Sequence, residues 1–245
     1  MIRLLAETGV LGDSNPVLSA ACAKHLRVVR PKDGEEVELF DGKGSTRLYR
    51  YGKAVPGSGL EAVREAEFHS PPASRLTLFA CVTKGARWDW TIEKATELGV
   101  SRIVPVLSAR TIVRISGDER EAKRQRWLRI SEEAARQSDA KYIPEIAEPA
   151  DFAAALESAA KTLCFIGALT SPPSPPLAVA IEAMKADARE PAVFVGPEGD
   201  FTAQELSALM EVAVPASFGP SVLRAETAAI FALSVVAAAV HAAES

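Results

Sequence analysis

The chain is short of the residues on which metal sites, disulfide frameworks and many hydrolases depend. Only three cysteines and three histidines occur in 245 residues, and they lie far apart. An odd number of distant cysteines argues against a disulfide framework and favours the cytoplasm. Cys22 and His25 form half of a zinc-type spacing without a second half, so we expect no metal site. The sequence also lacks the Gly-x-Ser-x-Gly and His-Glu-x-x-His motifs of hydrolases.

Long hydrophobic runs and targeting patterns are missing as well. The N-terminus does not have the basic and then apolar layout of a signal peptide. The longest apolar run, residues 228–240, is interrupted by Ser234 and is shorter than the roughly 20 residues that span a bilayer. With 48% hydrophobic and 24% charged residues, the composition is that of a globular protein with a real core. We therefore expect a cytoplasmic protein without membrane contact.

Basic residues are nearly absent from the last fifty-six positions, where Arg224 is the single one. Residues 1–70 carry 10 basic and 10 acidic side chains, residues 71–145 carry 14 and 10, and residues 146–245 carry 4 and 12. This asymmetry indicates a polyanionic partner for the front of the molecule, although each basic cluster alone also fits a solvated surface. The clusters are Lys24, His25, Arg27, Arg30 and Lys32, and Arg120, Lys123, Arg124, Arg126 and Arg129.

The first seventy residues have the pattern of β-structure. Strands are predicted at 35–40, 45–55 and 60–68, separated by turns rich in glycine. A stretch rich in serine and proline at 70–74 then resembles a linker. The segment 1–72 is therefore predicted to be a small β-barrel domain.

From Arg75 onward, apolar strands alternate with helical patterns. The predicted strands are 76–82, 102–107, 163–167 and 192–195. The predicted helices are one that carries Trp88, Ile92, Ala95 and Leu98 and ends at Gly99, and others at 118–138, 151–159, 177–185, 203–213 and 225–242, with a stiff proline-rich loop at 171–176. Such alternation predicts, for residues 73–245, an α/β domain whose mostly parallel sheet has helices on both faces.

Two glycine-bearing turns near the C-terminus each connect an apolar run to a helical pattern. In the first turn, Thr202 and Glu205 form a capping box, with Phe201 and Leu206 at the flanking hydrophobic positions. In an open α/β sheet, such turns build a ligand crevice at the carboxyl ends of the strands. The spacings of nucleotide-phosphate loops are absent, and the acids Glu198 and Asp200 favour a ligand with positive charge.

The final predicted helix, 225–242, is rich in alanine and apolar on every side. Such a helix is expected to be buried all round, either in a core or against a partner subunit. Dimerisation through this helix is therefore a hypothesis.

The two turns resemble the signature segments of a known family. They read Gly196-Pro197-Glu198-Gly199-Asp200-Phe201-Thr202 and Phe218-Gly219-Pro220-Ser221-Val222-Leu223-Arg224-Ala225-Glu226-Thr227-Ala228. Further matches are the segments 93–100, 133–138, 25–30 and 40–42, so the resemblance covers nearly the whole chain. These segments are similar to those of the RsmE family of SPOUT-class methyltransferases, which act on N3 of one uridine in small-subunit ribosomal RNA. Asp200 departs from the pattern, because the family usually has a second glycine there.

The resemblance implies a PUA-like β-barrel that binds RNA, followed by a SPOUT domain with a C-terminal trefoil knot. It also implies S-adenosylmethionine as the cofactor, 16S ribosomal RNA as the partner within the small subunit, and a homodimer. The implied cofactor-binding residues are Gly196, Pro197, Glu198, Gly199, Phe218, Gly219, Val222 and Leu223. The candidate RNA-binding residues are Lys24, Arg27, Arg30, Lys32, Lys84, Arg87, Arg124 and Arg136.

Arg224 is the candidate catalytic residue, either for stabilising the uracil anion or for holding the nearby phosphate. N3 of neutral uracil carries a proton that must leave before methylation, and a cation near the carbonyl oxygens stabilises the resulting anion. Glu226 is a candidate for orienting Arg224, with a general base as a second role. Two alternatives remain open at this point. One is a related SPOUT methyltransferase that acts on another RNA base, and the other is a non-catalytic RNA-binding ribosome-assembly factor.

Overall fold

The computed structural model describes residues 1–168, 173–182 and 187–244 of the chain. The chain divides into two compact units. The first unit consists of Met1–Pro72 together with Glu132–Ile143, and the second of Ala73–Ser131 together with Pro144–Ser245.

The first unit is built on a five-stranded sheet with the order β1-β2-β3-β4, in which β5 also pairs with β3. The strands β1 and β2 are parallel, and the remaining pairs are antiparallel. Leu4, Leu39, Tyr49 and Leu60 form the centre of its core. The elements are β1 (Ile2–Leu5), a 3-10 helix (Thr8–Gly12), α1 (Ala20–Val29), β2 (Glu36–Phe40), β3 (Ser45–Tyr51), β4 (Leu60–Ala62) and β5 (Glu67–Phe68).

The prediction of a β domain at the N-terminus is confirmed, but the prediction that the first seventy residues are β throughout is wrong. Helix α1 begins after Ser19, whose hydroxyl accepts a hydrogen bond from the Cys22 amide at 3.3 Å. Cys22 and Leu26, four residues apart, are its two buried positions, which is a helical spacing too short to stand out in the sequence. The single strand expected at 60–68 is divided into β4 and β5.

The second unit contains a seven-stranded parallel sheet with the order β12-β10-β11-β6-β7-β8, in which β9 also pairs with β7. Its strands are β6 (Thr77–Cys81), β7 (Arg102–Leu107), β8 (Glu145–Ile146), β9 (Ala150–Asp151), β10 (Leu163–Gly167), β11 (Pro191–Val195) and β12 (Ala213–Ala216). Its helices are α2 (Ala86–Glu97), α3 (Gly117–Gln137), whose last residues belong to the first unit, α4 (Phe152–Ala159), α5 (Leu177–Ala180), α6 (Ala203–Val212) and α7 (Ala225–Glu244).

Apolar side chains alternate along the central strands, so each face of the sheet has its own core. Leu78 on β6 and Val193 on β11 belong to one core, against which α2, α5 and α7 pack. Phe79 and Phe194, the neighbouring residues on the same strands, belong to the other core with α4 and α6. Burial on both faces explains why these strands are apolar at nearly every position. The prediction of a parallel sheet with helices on both faces is confirmed.

Most of the predicted boundaries in this unit agree with the structure to within two residues. Strand β12 was not predicted, and neither were the two-residue strands β8 and β9. The helix expected at 177–185 is α5, which is four residues long, and residues 183–185 lie outside the described part of the chain. The first two residues of the loop predicted at 171–176 also lie outside it.

Helix α7 is long and apolar enough to cross a membrane by length and composition, with a mean hydropathy of 1.7 over Ala225–Ala242. Core helices pass the same test, and α7 packs against α2, β6 and β11. Ala229, Ala232, Leu233 and Val236 are buried in that core. Within the single chain α7 is not buried all round, because Phe231 is 39% exposed, and its burial against a partner subunit stays a prediction.

Candidate functional site

A cavity of about 410 Å³ lies in the second unit, at the carboxyl ends of β10, β11 and β12. This volume is within the range of small-molecule sites, and the position is where open α/β sheets bind ligands. The cavity is lined by Gly167, Ala168, Phe194, Val195, Gly196, Pro197, Glu198, Asp200, Phe201, Leu206, Ala216, Ser217, Phe218, Gly219, Ser221, Val222, Leu223, Arg224, Ala225 and Ala228. The two glycine-bearing turns therefore form the walls of one cavity.

The first loop, residues 196–202, connects β11 to α6. A side chain at Gly196 would place its Cβ 2.9 Å from the Phe201 ring, so this position requires glycine. The predicted capping box is present, because Thr202 accepts from the Glu205 amide at 3.2 Å and Glu205 accepts from the Thr202 amide at 2.9 Å. Helix α6 therefore begins at a fixed point directly behind the loop.

Arg110, which follows β7, holds the same loop from outside the cavity. Its guanidinium donates hydrogen bonds to the carbonyl oxygens of Gly199, at 2.9 Å, and Phe201, at 3.3 Å. The Ala109 amide donates to the Glu205 carboxylate at 2.8 Å. Burial alone raises the pKa of Glu205, but the hydrogen bonds from Ala109 and Thr202 outweigh it, so the pKa is lowered. The role of Arg110 could not be predicted from the sequence, because no local pattern relates it to a loop about ninety residues away.

The second loop, between β12 and α7, contains Gly219 in a backbone conformation with φ of 126°, which residues with a side chain rarely adopt. Phe218 packs against Phe231 of α7 with ring centroids 6.0 Å apart. Val222 lines the cavity and is 86% exposed. The loop therefore presents an apolar side chain to any ligand that enters.

Arg224 lines the cavity at the start of α7 and is exposed. Its guanidinium has no hydrogen-bond or ion-pair partner among the residues that the structure describes. It is also the one cationic side chain among the described residues that line the cavity. Its charge is therefore available to a bound group.

The predicted pairing of Glu226 with Arg224 is not present. The Glu226 carboxylate instead lies 3.8 Å from the Arg87 guanidinium, which also donates to Glu198 at 3.2 Å. The Oε2 atom of Glu226 is buried without a hydrogen-bond partner in the described part of the chain. Arg87, expected on the RNA surface, thus connects a carboxylate of the first loop to one at the start of α7. Of the predicted cofactor residues, Gly199 stands beside the cavity rather than in its lining.

A groove of about 960 Å³ in the first unit has a basic lining. It includes the predicted residues Arg27, Arg30 and Lys32, together with Lys53 from a neighbouring turn. Arg30 ends α1 with φ of 52°, a left-handed conformation that costs a side-chain-bearing residue about 1 kcal/mol. Lys24 is exposed on α1 but does not line the groove.

The other predicted RNA-binding residues differ in how free they are. Lys84 is exposed just before α2. Arg124 donates to the Ile146 carbonyl at 2.7 Å and so holds α3 to β8. Arg136 is half-buried and pairs with Glu133, and burial lowers its pKa.

All three cysteines are buried and free. Burial raises the pKa of Cys22 and Cys81 to about 11 and that of Cys164 to about 12, so their thiols stay protonated at neutral pH. In the described residues, no group of three or more histidine, cysteine or acidic side chains has the arrangement of a metal site.

Comparison with known proteins places this arrangement in a family. Residues 70–237 match the family model described as an RNA methyltransferase domain. A ribosomal RNA small subunit methyltransferase E from Synechocystis sp. is 30% identical over 96% of this chain and 76% of its own length. The protein of the same name from Mycobacterium bovis is 30% identical over 87% of this chain and 81% of its own length.

Solved structures agree with the sequence relatives. The crystal structure of a ribosomal RNA small subunit methyltransferase E from Neisseria gonorrhoeae bound to S-adenosyl methionine superposes with a TM-score of 0.76 and 26% identity, over 96% of this chain and 95% of that one. The parallel sheet and the cavity thus define the class as an RNA methyltransferase of the SPOUT type. Within that class, the chain belongs to the ribosomal RNA small subunit methyltransferase E family. The family resemblance found in the two loops is confirmed.

Proposed function

We propose that this protein transfers a methyl group from S-adenosylmethionine to N3 of a specific uridine in 16S ribosomal RNA. The observation that carries the proposal is the single cavity that both signature loops enclose at the carboxyl ends of the strands. The family membership and the neighbour bound to S-adenosyl methionine give this cavity its ligand.

The cavity fits such a cofactor in size and in chemistry. Its volume of about 410 Å³ suits a ligand of nucleoside size, and Phe218, Val222 and Leu223 offer apolar walls for a purine base. At Gly196 the cavity is lined by a residue without a side chain, where an added Cβ would meet the Phe201 ring. Glu198 and Asp200 on the rim favour a ligand with positive charge.

When bound, the cofactor would supply an electrophilic methyl group, and the protein must hold the uracil N3, the accepting nitrogen of the substrate, in line with it. Arg224, whose guanidinium is free at the edge of the cavity, stabilises the negative charge that forms on the uracil carbonyl oxygens when N3 gives its proton to solvent water. Glu226 is held by Arg87 at the start of the same helix. We assign Glu226 a supporting role, in which its contact with Arg87 holds the start of α7, next to Arg224, against α2.

The substrate base must be unpaired or flipped out, because N3 lies on the Watson–Crick edge. Recognition then rests on RNA shape and phosphates. We assign phosphate binding to the basic groove of the first unit, with Arg27, Arg30, Lys32 and Lys53 as its cations. This assignment makes the first unit, as expected for residues 1–72, an RNA-binding domain.

The test is methyl transfer from radiolabelled S-adenosylmethionine to assembled small ribosomal subunits and to naked 16S RNA. We expect incorporation into RNA, and mass analysis of the digested nucleosides should give N3-methyluridine. Methylation of another base would indicate a related SPOUT enzyme. Cofactor binding without transfer to either substrate would indicate a non-catalytic assembly factor.

We also propose that the protein is a cytoplasmic homodimer. Phe231 and Ala238 leave an apolar strip of α7 exposed in the single chain, with Val222 exposed nearby in the cavity loop. A second copy would cover this strip and bury the helix all round. Light scattering at micromolar concentration should give twice the chain mass of 26.0 kDa. A monomeric mass, or a dimer that survives Phe231→Asp, would contradict this interface.

A further inference from the structure

Asp200 has an unusual backbone conformation at the edge of the cavity. Its φ is 60°, and it is one of three non-glycine residues with positive φ in the described part of the chain. Aspartate tolerates this region better than most residues, but the conformation still costs free energy compared with glycine. The Oδ1 atom accepts a hydrogen bond from the Phe201 amide at 2.7 Å. This bond fixes the orientation of the carboxylate.

The two carboxylates in the cavity wall differ in how their charge is compensated. Glu198 accepts a hydrogen bond from the Arg87 guanidinium at 3.2 Å, so it has an ion-pair partner, which it shares with Glu226. Asp200 lines the same cavity and is exposed, and it makes no ion pair with any described residue. Arg110, which is close by, uses its guanidinium on the carbonyl oxygens of Gly199 and Phe201. The Asp200 carboxylate is therefore available to form an ion pair with a ligand.

We propose that Asp200 makes the site selective for the charged methyl donor over the demethylated product. The inference rests on the proposed function, since it takes S-adenosylmethionine as the ligand. The sulfonium of S-adenosylmethionine carries one positive charge more than the thioether of S-adenosylhomocysteine, and the two molecules otherwise differ by one methyl group. A fixed carboxylate in the wall attracts the first ligand more strongly than the second. Methyl transfer removes the sulfonium charge, so the product S-adenosylhomocysteine is bound more weakly than the donor.

The test compares the dissociation constants of both ligands by calorimetry for the wild type and Asp200→Asn. Asparagine also tolerates positive φ and keeps an oxygen that can accept from Phe201, so the substitution removes mainly the charge. Glu211→Gln is the matched control, because it removes one exposed carboxylate from α6 outside the cavity lining. Asp200→Gly provides a second variant, which removes both the charge and the backbone cost.

We expect Asp200→Asn to weaken S-adenosylmethionine binding by about five-fold and S-adenosylhomocysteine binding by less than about two-fold, as fits a partly exposed charge pair. Asp200→Gly should lose the same selectivity, and Glu211→Gln should keep it. The wild-type selectivity should also shrink at an ionic strength of about 1 M, where the screening length is about 3 Å. An unchanged ratio of the two constants in Asp200→Asn, or an equal loss for both ligands, overturns the inference. If the wild type binds neither ligand, the proposed function itself fails.

Discussion

Arg224 combines three properties at the scale of a single residue. It is exposed, it lines the cavity, and its guanidinium is unpaired among the described residues. Arginines that only stabilise a fold are usually engaged, as Arg110 is with two carbonyl oxygens and Arg124 is with one. An unpaired guanidinium in contact with water costs little free energy. When a substrate anion is brought to it, the two groups form a strong charge-assisted hydrogen bond.

Removal of this cation should therefore act on the reaction more than on cofactor binding. We expect Arg224→Ala to lower methyl transfer by at least about 10²-fold, the loss typical of a single group that stabilises a developing oxyanion. The dissociation constant of S-adenosylmethionine, measured by calorimetry, should change by less than about three-fold, because an interaction made in the transition state does not contribute to cofactor binding. Arg224→Lys keeps the charge without the planar fork and should fall between the two. Wild-type turnover of Arg224→Ala would remove Arg224 from the reaction.

At the scale of elements, the start of α6 decides how well the first loop is held. The capping box fixes the helix end, the Ala109 amide and Arg110 fix the loop from β7, and Phe201 packs into the core beneath. These contacts come from two segments that are distant in sequence. The cavity wall is therefore rigid on the side of β7.

The helix cap can be tested without change to the cavity lining. Thr202→Ala removes the hydroxyl that accepts from the Glu205 amide, and we expect a loss of about 1 kcal/mol in the free energy of unfolding. For a chain of this size, that corresponds to a decrease of about 2–4 °C in the melting temperature. Thr202→Ser keeps the hydroxyl and should stay close to the wild type. Calorimetric melting that separates neither variant from the wild type would show that the cap contributes nothing to stability.

At the scale of the whole molecule, charge is distributed unevenly along the chain. Residues 146–245 carry 4 basic and 12 acidic side chains, so the acidic end of the chain repels RNA in general. The groove of the first unit brings together Arg27, Arg30, Lys32 and Lys53 in one lining. Binding of a long polyanion is then expected to depend on that groove.

A charge reversal in the groove tests whether the groove binds RNA. We expect Arg27→Glu to lower the affinity for 16S RNA by about ten-fold at physiological salt, and to make the salt dependence of binding shallower by about one unit of slope. Lys161→Glu is the matched control, because Lys161 is an exposed lysine at the end of α4 in the other unit. Filter binding over a salt series measures both quantities. Equal effects of the two reversals would mean that the groove has no special part in RNA binding.

Local sequence patterns were sufficient for much of the second unit. The central parallel strands are apolar at nearly every position, the helices have apolar faces, and the end of α2 is followed by Gly99 with φ of 77°. Helix α1 was missed because it has only two buried positions, and β12 was missed because four residues carry too little pattern. In both elements, long-range packing supplies the stability that local propensity does not.

The sequence by itself determined the fold class, the family and the two loops of the cavity, because each depends on residues close together in the chain. Only the tertiary structure decided which charges in those loops are compensated. Glu198 is paired with Arg87, Glu226 faces Arg87 rather than Arg224, and Asp200 keeps its charge for the ligand. The physical reason is that an ion pair depends on a distance of a few ångströms between groups that can lie a hundred residues apart.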